Sequence, residues 1–323
     1  MIALSCSHPN FKKSGRNRNG SQRYRCTDCK KYFSDEHVNT NPLGDMRIDV
    51  DKAMMVIDAL LEGVSVRGAA RLFSVDRDTI GRLILEAGER CQKYMDTNIV
   101  NAPVESIQLD ELWSKIYSSD RVKKIKGTDA NDEHGSSWTY VCLTDKKLAI
   151  HHVGKRDQED TITFLHKVRR GINTSKPFQC SSDGWASYLY GVPFTLGSNV
   201  NYGMLIKQYS NKSAEKARQN RVKYSPASIV GAVRKVIFGS IPTAEICTSH
   251  VESFNQKMRM SLKRFTRLSN AISKKRLFHE RMQSIYFANF NFCRIHMSLE
   301  KQTPAMASGL TDRPLKLVEL LGQ

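Results

Sequence analysis

The chain has 323 residues, 40% of them hydrophobic, with 50 lysines and arginines against 32 aspartates and glutamates, a formal net charge of +18. That length holds one sizeable core with small appended modules, and so basic a surface repels itself unless it meets a polyanion, which makes nucleic acid the expected partner. A membrane surface is the competing polyanion, yet there is no run of about 18 apolar residues and no apolar stretch following Met1, so a cytoplasmic, nucleoid-associated protein with no membrane contact is expected.

Of the eight cysteines, Cys6, Cys26 and Cys29 lie near the start, while Cys91, Cys142, Cys180, Cys247 and Cys293 are scattered through apolar surroundings and read as small core residues. Cys26-Thr-Asp-Cys29 lies between Gln-Arg-Tyr-Arg and Lys-Lys-Tyr-Phe, which predicts a tight turn between two short strands, the geometry of a zinc knuckle. A second C-x-x-C would end on Pro9, which cannot ligate, so Cys6 and His8 are the upstream candidates. Residues 1–40 are therefore expected to form a zinc-ribbon module around a structural Zn²⁺, since so short a segment has no core of its own. The other readings are a thiol pair without metal and a degenerate knuckle in which His8 caps a turn.

Between residues 45 and 95 the period becomes helical. Met54, Ile57, Leu60 and Leu61 form a stripe that Gly63 ends. Ser65 is placed to cap a second helix, Ser74-Val75-Asp76 reads as a turn, and Arg77 starts a third helix. Small Ala69 and Ala70 permit close crossing, so a helix-turn-helix is expected, with Arg77, Thr79 and Arg82 facing DNA. A plain three-helix packing unit is the alternative.

After the polar stretch 96–103 the pattern turns to strands: Ser106–Asp110, Trp138–Leu143, Leu148–Val153 and Pro177–Ser182, with an amphipathic helix over Glu159–Val168 before the fourth. Three strands, a helix and a fourth strand begin a ribonuclease-H-like sheet. The first and fourth strands are neighbours in that topology, so Asp110 and Asp183 are expected to converge. Residues 104–323 are read as this catalytic domain, with a basic insertion near 207–235 for which solvated disorder is the default. A third acid, Glu252, falls on a helix whose apolar stripe is Val251, Phe254, Met258, Leu262 and Phe265, with Gln256, Arg259 and Lys263 following Glu252 on a neighbouring face. Arg259 and Lys263 are candidate DNA contacts. Carboxylates ending buried strands are costly to keep charged unless a cation neutralises them, and a divalent metal also serves phosphodiester chemistry. Taken singly, each acid is equally an ordinary strand-end or helix-surface carboxylate. His250 reads as a helix-surface or packing residue, and Trp113 and Trp185 as core or site-wall residues.

The chain resembles the bacterial insertion-sequence transposases of the "insertion sequence one" type. The resemblance is carried by Gln22-Arg-Tyr-Arg-Cys26-Thr-Asp-Cys29-Lys-Lys-Tyr-Phe, Leu109-Asp110-Glu111-Leu-Trp113, Ser182-Asp183-Gly184-Trp185, Glu252-Ser-Phe-Asn255-Gln-Lys-Met-Arg259, and Asn291-Phe-Cys-Arg-Ile-His296 followed by Thr303-Pro-Ala-Met. It departs at Pro9, where such proteins often carry a cysteine. The resemblance implies an aspartate-aspartate-glutamate enzyme in which Asp110, Asp183 and Glu252 are the catalytic metal ligands, with Glu111 as the substitute. Two Mg²⁺ or Mn²⁺ ions roughly 3.5–4 Å apart are expected, one on Asp110 and Asp183, the other on Asp110 and Glu252. Such an enzyme binds double-stranded element ends, cuts and joins them to target DNA, and pairs two ends in a homodimer or larger synaptic complex. A nuclease or resolvase without strand transfer, and a domesticated DNA-binding regulator, are the competing classes.

Overall fold

The computed structural model describes residues 10–16, 22–34, 42–44, 46–126, 134–209, 229–266 and 270–322. Cys6 and His8 lie outside the described residues, as does 210–228 of the expected basic insertion.

The described start of the chain is a three-stranded antiparallel sheet, β1 (Phe11–Arg16), β2 (Gln22–Cys26) and β3 (Tyr32–Ser34), in the order β1-β2-β3. Phe11, Tyr24 and Phe33 cluster on it with ring centroids 5.1 to 5.6 Å apart. Cys26 ends β2 and Cys29 closes the turn after it; Lys30 is left-handed, which lets the Cys26 N–H reach the Lys31 carbonyl at 2.9 Å.

Three helices follow. Asp49 caps α1 (Val50–Leu61) by accepting from the Lys52 N–H, and Ser65 caps α2 (Val66–Phe73) by accepting from Gly68. Left-handed Ser74 turns the chain into Asp76, the cap of α3 (Arg77–Asn98). At 22 residues α3 reaches Asn98 and outruns the helical reading, which ended at residue 95. Its apolar face, with Ile80, Leu83, Ile84, Ala87, Cys91 and Met95, is buried.

The rest is mixed α/β. A six-stranded mixed sheet has the order β6-β5-β4-β7-β8-β9, formed by β4 (Ser106–Ile116), β5 (Gly135–Thr144), β6 (Ala149–Gly154), β7 (Phe178–Ser182), β8 (Val200–Tyr209) and β9 (Ile229–Phe238). The short α4 (Asp120–Lys126) precedes β5. β4 and β7 are parallel, as are β7 and β8, and the other neighbours run antiparallel. This order is compatible with the expected ribonuclease-H-like sheet. The strands β8 and β9 were not foreseen, and the described flanks of the supposed insertion, 207–209 and 229–235, are paired strands rather than solvated coil.

Helices α5 (Gln158–Gly171) and α6 (Ala186–Leu196) cover one face of the sheet, with the Phe164 ring against Tyr140 at 5.4 Å. The other face carries α7 (Ser249–Ser261) and α8 (Arg276–Ala288), through bonds such as Thr139 Oγ1 to Gln283 Oε1 at 2.7 Å. Short helices α9 (Pro304–Ala307) and α10 (Leu317–Leu321) finish the chain. α3 lies along α8 so closely that a Cβ at Gly88 would stand 2.4 Å from the Arg281 carbonyl oxygen. Only glycine fits there, and one continuous apolar core runs from α1 to α10. Among the described residues no helix is long and apolar enough to cross a membrane.

Candidate active site

The register between β4 and β7 creates the site. Pairing runs from Ser106↔Gln179 to Leu109↔Ser182 and then β7 ends, while β4 continues for seven more residues to Ile116. Asp110 and Asp183 are thus the next residue on each strand, at the crevice that opens where the neighbours part. In open α/β sheets ligands bind at such a crevice, beyond the carboxyl ends of the strands. Asp183 accepts the Trp185 N–H at 3.0 Å, which turns the chain toward α6.

Glu252 arrives from α7, and β4 fixes that helix. Gln108, two residues before Asp110, accepts the N–H groups of His250 and Val251 at 2.9 and 3.1 Å, satisfying donors that a helix start leaves open. One turn on, Asn255 Nδ2 donates to Asp110 Oδ2 at 2.8 Å. Asp110, Asp183 and Glu252 line one cleft of about 770 Å³ together with Glu111, Arg156, Lys207, Asn255, Gln256 and Arg259.

Burial and neighbouring carboxylates raise the cost of ionising Asp110, Glu111 and Asp183. Burial first, then repulsion from Asp183, pushes Asp110 up to about 6, although the Asn255 amide opposes the shift. Glu111 is pushed up to about 8 by the same two causes, against Arg156. Asp183 is raised by burial, opposed by the Trp185 N–H, Arg156 and Lys207. The protein answers this excess negative charge with its own cations. Lys207 Nζ donates to Glu252 Oε1 at 2.5 Å, and the Thr248 hydroxyl donates to the same oxygen. Arg156 Nη2 lies 3.0 Å from Glu111 Oε2 and 3.7 Å from Asp183 Oδ2.

Glu111 is on the opposite face of β4 from Asp110. Its side chain is 1% exposed, and Oε1 is buried without a hydrogen bond among the described residues. The nearby Tyr188 hydroxyl is likewise buried without a partner in hydrogen-bond geometry among the described residues. Glu111 therefore holds Arg156 rather than presenting itself to the cleft.

Among the other candidates, Arg259 lines the cleft and reaches the Trp113 carbonyl at 3.4 Å. Lys263 does not share its helical face: α7 stops at Ser261 because Leu262 and Phe265 fold into the core, and Lys263 is exposed on a 3-10 turn. Arg77 and Arg82 are exposed on α3 and Thr79 is half-buried; none of them lines the cleft. His250 is exposed on the first turn of α7. Trp185 walls the site beside Arg156, whereas Trp113 points its Nε1–H at Ser136 Oγ, 3.0 Å away. Cys26 and Cys29 lie in the N-terminal sheet, and among the described residues no group of three histidine, cysteine or acidic side chains is arranged to hold a metal ion. The sequence reading missed Arg156, Lys207 and Asn255. Asn255 carried a signal, three residues after Glu252 and so on the same side of a helix; Lys207 and Arg156 depend on strand pairing and ring packing that no local pattern shows.

Set beside known proteins, the chain matches no family model and no curated protein.

Proposed function

We propose that the protein is a DNA transposase that binds the terminal repeats of an insertion sequence and catalyses strand cleavage and strand transfer through a ribonuclease-H-like catalytic domain. The observation that carries this reading is the convergence of Asp110, Asp183 and Glu252, distant in sequence, on one cleft that also holds Arg259. The net charge of +18 supports a nucleic-acid substrate.

The cleft's donors suit a hard divalent cation, since carboxylate oxygens crowded enough to be pushed toward protonation gain most from one. Asp110 and Asp183 would hold Mg²⁺ or Mn²⁺, with Glu252 joining on release from Lys207. Bound there, the cation supplies Lewis acidity at the phosphodiester and lowers the pKa of an attacking water. Asn255 orients the Asp110 carboxylate, and Gln108 fixes α7 so that Glu252 faces the same space. Arg259 meets the backbone of the duplex. The zinc-ribbon and helix-turn-helix roles of residues 1–95, with Cys6, His8, Cys26 and Cys29 around Zn²⁺ and Arg77 and Arg82 on DNA, belong to the same reading, as does a dimer or larger complex pairing two ends.

The test is strand transfer of a labelled element-end duplex into plasmid DNA with Mg²⁺. Joined product is expected from the intact protein. Asp110→Asn, Asp183→Asn and Glu252→Gln are each expected to lose roughly a hundred-fold or more in cleavage, above the loss typical of a supporting residue, with end binding retained. Cleavage without joining would replace the transposase with a nuclease, and binding with neither reaction would leave a regulator.

A further inference from the structure

Arg156 occupies the loop between β6 and α5, and the structure spends many interactions on fixing it. Asp160 accepts the Lys155 N–H at 2.7 Å and bonds His152 Nε2 at 2.6 Å. The Tyr140 hydroxyl donates to the Lys155 carbonyl at 2.7 Å. Asp157 caps α5 by accepting from the Asp160 N–H at 2.9 Å. Gly154 leaves the space that Asp160 fills, since a Cβ there would stand 2.2 Å from its carboxylate.

The guanidinium so presented lies against two indoles. Its central carbon is 4.7 Å from the Trp138 ring centroid and 4.3 Å from that of Trp185. Trp185 is fixed in turn by its Nε1–H to Thr161 Oγ1 at 3.2 Å. With two indoles packed this close, the guanidinium offers a nucleobase little free face and is best suited to act through its N–H groups. One of those is used, Nη2 on Glu111, and Nε is buried without a partner. Nη1 makes no hydrogen bond among the described residues, and the Arg156 side chain, 32% exposed, lines the cleft. An oriented, sequence-blind donor beside the catalytic acids is suited to an anionic oxygen of a planar or tetrahedral group.

We propose that Arg156 binds the phosphodiester at the cleaved position, with Trp138, Trp185 and Glu111 as its positioning residues. The proposal rests on the DNA-cleavage reading above and assigns the contact to the phosphate rather than to a base. It makes this step of recognition indifferent to sequence, because every phosphodiester presents the same oxygens.

The test compares, with metal chelated, the affinity of the full-length protein for a duplex carrying its ordinary phosphodiester at the cleaved position and for the same duplex with a neutral methylphosphonate there. The intact protein is expected to prefer the ordinary duplex by roughly ten-fold, the loss typical of a hydrogen bond to a charged group. Arg156→Gln is expected to bind the two equally, and Arg156→Lys to keep part of the preference. The ratio is internal to each variant, so a general loss of folded protein cancels. Arg156→Gln with the intact protein's ratio overturns the proposal and leaves the cleavage reading standing. Failure of the intact protein to cut any duplex overturns that reading, and this proposal with it.

Discussion

His279 on α8 is enclosed between two hydroxyls, Ser114 Oγ at 2.9 Å from Nε2 and Ser273 Oγ at 3.2 Å from Nδ1. Burial, with Arg264 and Arg276 adding to it, lowers its pKa to about 3, so the fold keeps it neutral. The unfolded chain takes up a proton below about 6.5, and in that interval it binds more protons than the fold does. Stability contributed by the neutral ring is therefore complete above pH 7 and declines as pH falls, by at most about 1.4 kcal/mol per unit. Chemical denaturation of the intact protein and of His279→Asn at pH 7.5 and 5 is expected to show their difference shrinking at the lower pH; a constant difference would mean the ring is not held neutral. A variant comparison is needed because Asp110 and Glu111, raised in the fold, push the whole-protein slope the other way. At this scale the sequence made Asp110 and Asp183 legible as the residues that end strand-like runs, and Glu252 as an acid beside the apolar stripe of a helix. It did not reveal that Glu111 points away from Asp110, because adjacent residues of one strand diverge to opposite faces. Nor did it reveal Arg156, whose setting is made by Trp138 and Trp185, remote from it along the chain.

Among the elements, the contact of α3 with α8 is the tightest test of packing. Gly88→Ala gains up to about 1 kcal/mol of helix propensity but drives a methyl into the Arg281 backbone, at 2.4 Å from its oxygen. Overpacking of that kind costs about 1–3 kcal/mol, and backbone yields less than a side-chain tip, so the collision wins and the melting temperature is expected to fall. At Gly81 the nearest atom is the Phe278 ring at 3.3 Å, which can move, so Gly81→Ala is expected within about 1 kcal/mol of the intact protein. Thermal melts of the two variants side by side separate these cases; equal melting temperatures would put Gly88 outside any close crossing. The strands β5 to β7 were legible because each combines apolar residues with clear ends at Asp145-Lys146-Lys147, Pro177 or Asp183-Gly184, whereas β4 was read only to Asp110 and continues to Ile116. β9 was not: its residues are largely exposed and mixed with Arg234 and Lys235, and only pairing with β8 makes it a strand. α3 exceeded its expected length because packing holds its end, with Met95 buried and the Tyr94 ring 5.1 Å from Phe292, although Asp96, Thr97 and Asn98 are weak helix formers.

For the molecule as a whole, the excess of 18 positive charges makes binding to duplex DNA strongly salt-dependent on the proposed reading. Between 50 and 200 mM salt the affinity is expected to drop by ~10³-fold, the behaviour of several phosphate contacts. A titration series that leaves it nearly constant would remove the polyelectrolyte contribution and with it the main argument from composition. The change from helical to strand period between α3 and β4 was legible in the sequence. The intimacy across it was not, because Gly88, Arg281 and the bond from Arg90 Nη1 to the Leu321 carbonyl at 2.7 Å join residues from opposite ends of the chain. If the protein binds and cuts DNA as proposed, that intimacy would work as a ruler. α3 extends for about 33 Å at 1.5 Å per residue, close to one turn of duplex, and it is clamped along α8 against the sheet that carries the acids. On the proposed reading, a duplex gripped near Arg77 would enter the cleft at a set offset, and the spacing in base pairs between the sequence recognised and the bond cut would be built into a helix crossing rather than measured by a flexible tether.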